Sequence, residues 1–403
     1  MTQFDATKLL SRRAAAVEEA AIIRMAQKAR DLRAAGRDVV SLTIGEPDFD
    51  TPLQIQAAAS EAMRRGFTHY APVAGFPELR AAIARKLGSE NSLDYGPNDI
   101  VLANGAKQAI TNAVFALVED GDEAILLAPY WIAYEGIVRM AGGKPIVLPS
   151  SIDDGFKTSA AHLEASLGPR TKLIFLNSPN NPSGAVHSRD ELAALADVVR
   201  KHPQVMVIAD EIYEHISFDG PVVSFASLPG MRDRTVTVNG FSKAYAMTGW
   251  RLGYGAATEP VARAMAKIQG TFTAGANAFV QQAAIAALAS GSEDVARMRE
   301  IYRRRREIVV TSLRSIPGVR VVEPAGTFYV FPDVSSYLGR HAGNHVIDTV
   351  DQLCDWLIDF HDLATVPGTA FGNTACIRLS FASSEKDLER GLARLGAALR
   401  QLS

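Results

Sequence analysis

Cysteine is nearly absent from this chain of 403 residues: there are two, Cys354 and Cys376. Two thiols cannot build a disulfide framework or a thiolate metal cluster, and their scarcity fits a reducing compartment. Long apolar runs are missing as well. No stretch approaches the ~20 residues needed to span a bilayer. Met1 to Arg13 lacks the apolar core of a signal peptide, so a cytoplasmic protein with no membrane partner is expected. An excess of one charge is also lacking. Lys and Arg number 42 against 44 Asp and Glu, a net charge of -2, which gives no support for a nucleic-acid partner. The eight histidines are scattered. His341 and His345 have i, i+4 spacing but flank Gly343 in a polar stretch, which predicts a solvated loop or a frayed helix rather than a metal site. There is no internal repeat, no low-complexity segment, and no Gly-x-Gly-x-x-Gly dinucleotide fingerprint between a strand and a helix.

What is present has the make-up of an ordinary globular protein, 47% hydrophobic and 21% charged. At about 150 residues per domain, the length suggests two or three domains. Residues 14–35 read as an Ala-rich helix ending at Gly36, and 39–44 as a short strand running into Gly45-Glu46-Pro47-Asp48-Phe49. From about residue 97 strands alternate with helices: strands at 100–103, 124–127, 145–148, 172–176, 205–209 and 235–238, helices at 106–118, 134–140, 161–167 and 189–200. Such alternation predicts an α/β fold with a mostly parallel sheet flanked by helices. After Pro260 the chain reads as helical to about Ile316. That stretch includes Arg303-Arg304-Arg305-Arg306, taken as a solvated helix surface. A strand pair at 319–322 and 327–331, a helix at 353–360, a strand at 376–381 and a closing helix at 385–399 suggest a smaller α+β domain. The expected division is an N-terminal segment (1–48) packing with the small domain, a large domain (49–299) and the small C-terminal domain (300–403).

The chain is organised around residues 237–254. A β-branched run ends at Asn239-Gly240 in a loop carrying Ser242 and Lys243, and Arg251 follows eight residues after the lysine. A lysine in a small, apolar loop is a candidate Schiff-base amine, because desolvation and a cationic neighbour depress its pKa; a solvated surface lysine is the plainer reading. Ser242 and Arg251 could hold a phosphate beside it. In an open parallel sheet, ligands sit beyond the C-terminal ends of the strands, and further polar residues fall there. Asn104-Gly105-Ala106-Lys107 lies at a strand-to-helix turn, where backbone N–H groups and the helix dipole favour a phosphate. Trp131 could stack on an aromatic ligand or belong to the core. Asn181 follows the fourth strand, and Asp210 and Tyr213 the fifth; Asp210 could equally be a helix cap. A lysine amine, a carboxylate, a phenol, an amide, an aromatic face and a phosphate cup are together what pyridoxal 5'-phosphate requires.

In order and spacing, Gly45-Glu46-Pro47-Asp48-Phe49, Asn180-Asn181-Pro182-Ser183-Gly184, Asp210-Glu211-Ile212-Tyr213, Ser242-Lys243, Met247-Thr248-Gly249-Trp250-Arg251 and Arg378-Leu379-Ser380-Phe381-Ala382 resemble the class I aminotransferases of pyridoxal-phosphate fold type I. The nearest subgroup is that of the bacterial aspartate aminotransferases of the Iβ type. This resemblance implies that Lys243 is the Schiff-base lysine and proton shuttle and Asp210 the partner of the pyridine nitrogen. It implies that Tyr213 and Asn181 touch the ring oxygen and Trp131 stacks on the ring. Gly105, Ala106, Lys107, Ser242 and Arg251 would surround the phosphate. Tyr70 matches a tyrosine that reaches the neighbouring subunit's phosphate, which implies a homodimer with shared sites. Arg378 matches the arginine that grips the substrate α-carboxylate, beside the Gly45 backbone. The sequence departs from the aspartate-specific pattern where Ser-x-Thr would stand. Here the stretch is Ala20-Ala21-Ile22, although Lys107, which serves the same distal carboxylate, is present. The expected activity is amino transfer between an L-amino acid and a 2-oxo acid, of the aspartate or glutamate type but open to aromatic or other apolar amino acids. A β-lyase on the same cofactor is the alternative. A ligand-sensing regulator is set aside because the segment before residue 45 leaves no room for a DNA-binding domain.

Overall fold

The computed structural model describes residues 9–15, 21–343 and 345–403. Its centre is a seven-stranded sheet of strands that are mostly aliphatic and buried. Numbered along the chain, these are β1 (Ile100–Ala103), β2 (Glu123–Leu127), β3 (Lys144–Leu148), β4 (Thr171–Asn177), β5 (Met206–Asp210), β6 (Thr235–Gly240) and β7 (Gly253–Ala256), in the spatial order β1-β7-β6-β5-β4-β2-β3. Strands β3, β2, β4, β5 and β6 run parallel, and β7 runs antiparallel to both β6 and β1. Helices cover both faces, so the parallel strands read as near-continuous apolar runs rather than as alternating ones.

The register fixes where chemistry can occur. Asn177 and Asp210 are paired at the ends of β4 and β5, and Gly240 closes β6 opposite Gly253. The helix Ala106–Leu117 starts directly after β1. All these ends lie on one edge of the sheet, the carboxyl edge of the parallel strands.

A second core is built from both ends of the chain. Val40–Ser41 pairs in parallel with Leu363–Ala364, and Ile377–Ser380 lies between Tyr329–Val330 and Val366–Pro367, antiparallel to each. Met25, Val40 and Leu42 pack in one cluster with Tyr302, Leu357 and Leu395. The helix Ser292–Arg314 runs unbroken through residues 299 and 300, so the expected division there lies inside one helix. The closing helix, Glu385–Leu399, starts where Ser384 accepts a hydrogen bond from the Asp387 N–H at 3.1 Å.

Three local expectations are corrected. Arg305 and Arg306 are buried rather than solvated. They fall three and four residues from Tyr302 and Val309, on the face that the helix turns to the core. A buried guanidinium needs a partner: Arg305 donates to both oxygens of Asp48 at 2.7 and 2.8 Å, and Arg306 donates to the Pro324 carbonyl at 3.2 Å. Residues 319–322 form no strand with 327–331; Arg320 makes only an isolated bridge to Asp333, and Tyr329–Val330 pairs with Leu379 and Ser380 instead. Arg340–Ala342 and His345–Ile347 are the two arms of an antiparallel hairpin rather than a loop or a frayed helix.

Candidate active site

Lys243 leaves the end of β6 and points into a cavity at the carboxyl edge of the sheet. Its Nζ donates to the Gly45 carbonyl, which ties the loop 45–49 to the sheet. Burial pushes the amine down to about 8, against a smaller upward pull from Glu46. Desolvation penalises the charged form, and the free amine is the nucleophile.

Across the same cavity lies Asp210, 4% exposed. One of its oxygens accepts from the Tyr134 hydroxyl at 2.6 Å and the other from the Ile212 N–H at 3.3 Å. Among the described residues, no cation is hydrogen-bonded to either oxygen. Burial therefore raises its pKa to about 6, with Tyr134 and the Ile212 N–H pulling the other way. A buried carboxylate without a bonded cation is suited to a cationic ligand atom. The Tyr213 hydroxyl lies 3.0 Å from that of Tyr329, and burial raises its pKa well above the usual phenol value.

Arg378 enters from the second core. It is 1% exposed, donates to the Thr43 carbonyl at 2.7 Å and to Asn181 Oδ1 at 3.1 Å, and its buried Nε has no partner among the described residues. Asn181 is itself fixed, since its N–H donates to Asn177 Oδ1 at 2.8 Å. Trp131 stands edge-on to Tyr134, with ring centroids 5.5 Å apart, and the Lys107 ammonium sits 5.1 Å from the Trp131 ring. Lys107 as a whole is exposed, yet desolvation of its ammonium and the neighbouring Arg251 lower its pKa.

The first turn of the helix Ala106–Leu117 faces Ser242 and Arg251. Gly105 precedes it at φ +84°, where a Cβ would lie 2.5 Å from Arg251 Nη2. Only glycine leaves the guanidinium room at this turn. Arg251 itself holds a left-handed φ of 57° and donates to the Thr248 carbonyl at 2.8 Å. Backbone N–H groups at a helix start, a hydroxyl and a guanidinium make a cup for a phosphate.

The structure thus brings Gly45, Ala106, Lys107, Trp131, Asn181, Asp210, Tyr213, Ser242, Lys243, Arg251 and Arg378 around one cavity, with Gly105 outside the lining but against the Arg251 guanidinium. Tyr70 is not part of that lining and stands 94% exposed. Of the apolar stretch 20–22, Ile22 lines the cavity, and Ala20 lies outside the described residues. Sequence reasoning missed Tyr134, Asn177 and Tyr329. Asn177 could have been found from its place at the end of a strand beside Asp210, whereas nothing local marks the two tyrosines. A group of possible metal ligands, Glu90, Glu214 and His215, lies elsewhere. There the Lys86 ammonium already pairs with Glu214, and Asn91 and Asn239 donate to the same carboxylate at 2.6 and 2.7 Å, so a cation has no vacancy.

A family model described as aminotransferase class I and II matches residues 37–395. A "Bifunctional aspartate aminotransferase and glutamate/aspartate-prephenate aminotransferase" of Petunia hybrida is 46% identical over 97% of this chain and 82% of its own length. An "Aspartate/prephenate aminotransferase" of Cereibacter sphaeroides is 43% identical over 98% of this chain and 99% of its own. The crystal structure of an aspartate aminotransferase from Rhizobium meliloti superposes with a TM-score of 0.95 at 39% identity, covering 98% of this chain and 99% of that one. The chain belongs to the aminotransferase class I and II family and is a transaminase.

Proposed function

We propose that this transaminase works with pyridoxal 5'-phosphate and moves the amino group of a dicarboxylic L-amino acid, glutamate or aspartate, to a 2-oxo acid, with aromatic or aliphatic amino acids also accepted. The observation that carries this reading is the meeting of Lys243, Asp210 and Arg378 in one cavity. The residues fit the cofactor on chemical grounds. Asp210 is a buried carboxylate with no cation bonded to it, suited to a protonated pyridine nitrogen, and the turn at Gly105 with Ser242 and Arg251 suits a phosphate. Trp131 would lie on the ring, with Asn181 and Tyr213 at its oxygen. When bound, the cofactor supplies an electron sink for the pair left behind when the substrate loses its α-proton.

The chain's own groups do the rest. Arg378 binds the substrate α-carboxylate through the guanidinium it brings to the cavity, which still has an N–H without a partner among the described residues. The Lys243 amine, held near 8 by burial, takes up and returns the α-proton, as a general base needs a pKa near the working pH. The segment 45–49 and Arg378 belong to the layer built from the two ends of the chain, which would close over the substrate and exclude water. Tyr70, exposed in the single chain, would complete the site of a second copy in a homodimer. A cytoplasmic enzyme is the setting that suits such chemistry.

Arg378→Ala is expected to raise the KM for amino and oxo acids together, at a cost of about 2–5 kcal/mol for breaking a desolvated charge pair. Unchanged Michaelis constants in a folded variant would place the carboxylate elsewhere. Substrate range follows from Lys107 and Ile22. The ammonium attracts a distal carboxylate, but an apolar neighbour leaves it short of hydrogen bonds, at about 1–3 kcal/mol. Values of kcat/KM for aspartate, glutamate, phenylalanine and alanine should therefore lie close together, and Lys107→Ala should depress only the first two. Strict aspartate use that survives Lys107→Ala would refute this assignment.

A further inference from the structure

Arg378 and Ser380 are two residues apart on one strand, so they present their side chains on one face, and Tyr329 pairs with Ser380 from the neighbouring strand. Tyr329 is 1% exposed, and the Arg378 guanidinium carbon lies 4.5 Å from the centre of its ring. Its hydroxyl lies 3.0 Å from that of Tyr213. It also presses on the loop that Lys243 holds: a Cβ at Gly45 would come within 2.9 Å of the Tyr329 oxygen. One hydroxyl thus lies against the phenol at the candidate cofactor ring and takes the space beside Gly45, whose carbonyl the lysine binds, while its ring backs the candidate carboxylate-binding arginine.

We propose that Tyr329 is a positioning residue for amino transfer, donating its hydroxyl proton to the Tyr213 oxygen so that the Tyr213 proton is left to point into the cavity. A phenol has one proton to give, so in a pair of phenols only one can donate to the other. The cation against the Tyr329 ring favours Tyr329 as the donor. The charged groups that act on the pair are Arg378, Asp210 and Glu46, with the Lys243 ammonium 5.9 Å from the Tyr213 ring. Burial raises the pKa of both phenols and Arg378 pulls both back, leaving Tyr213 the further above the usual phenol value, in keeping with Tyr329 as the stronger acid.

This inference rests on the proposed cofactor, and its test separates the two. Wild type, Tyr213→Phe, Tyr329→Phe and Tyr329→Leu are loaded with pyridoxal phosphate, and the pH midpoint of the cofactor absorption band is titrated alongside KM for glutamate. Tyr329→Phe should move the midpoint in the same direction as Tyr213→Phe, by about half a pH unit, as expected for one lost hydrogen bond. Because the ring against Arg378 is kept, its KM should stay within about twofold; Tyr329→Leu, which removes the ring, should raise KM about tenfold more. A midpoint that moves in Tyr213→Phe and stays put in Tyr329→Phe overturns the role of Tyr329 while leaving the cofactor reading intact. Failure of wild type to bind pyridoxal phosphate overturns both. Should the leucine variant not fold, the midpoint of the phenylalanine variant decides alone.

Discussion

Replacement of Lys243 by alanine is expected to abolish the borohydride-trapped adduct with pyridoxal phosphate and to lower turnover by about 10⁴-fold or more, since the covalent attachment and the proton-transferring base are lost together. The physical ground is its burial. An ordinary lysine is almost wholly protonated at neutral pH, whereas an amine near 8 is about one-tenth free base at pH 7. Little of the fold depends on this side chain, whose one hydrogen bond among the described residues is to the Gly45 carbonyl. The variant should therefore keep its circular dichroism. Adduct formation that persists and maps to Lys107 would show that the wrong lysine has been chosen.

The second large effect belongs to Asp210. Exchange of the substrate α-proton, followed by NMR in deuterated buffer, should slow by about 10²–10³-fold or more in Asp210→Asn and Asp210→Ala, because the carboxylate that would keep the pyridine nitrogen protonated, and the ring an electron sink, is lost. Asparagine keeps the volume and can still accept from Tyr134, so it separates charge from packing. Without cofactor the sign reverses. The folded-state pKa of about 6 lies above the usual 3.8, so the folded chain binds this proton more tightly than the unfolded one does. Stability from this group is present below about pH 4 and lost as pH rises through 6. Apo Asp210→Asn should accordingly be more stable than the apo parent at pH 8, by on the order of 2 kcal/mol, with the gap closing toward pH 4. An unimpaired exchange rate would remove Asp210 from the mechanism.

The large sheet was legible because its strands are short apolar runs closed by polar or glycine residues, and its helices carry clear starts and stops. The site residues on strand ends were legible for the same reason: Asp210 and Lys243 interrupt apolar texture where a parallel sheet opens to ligands. Less could be read in the C-terminal layer. The edge strands there are only two residues long, as at Tyr329–Val330 and Val366–Pro367, too short for a period of two to show. Arg305 looked like one of four solvated cations because its partner, Asp48, lies 257 positions away. Tyr134 and Tyr329 escaped notice because their roles come from what faces them across the fold, and no neighbour in sequence carries that information.

The contact between Arg378 and the Thr43 carbonyl spans 335 positions. At about 5–20 residues per second of synthesis, the carbonyl waits roughly 17–67 s for its arginine. For that interval the first layer of the second core, including Val40 and Leu42, is on hand without the strands that cover it. The central sheet has all of its strands once residue 256 is made, so the scaffold can form well ahead of Arg378. Arg378 is thus made only after every strand of the central sheet, and the helix Glu385–Leu399 that packs on its layer comes later still.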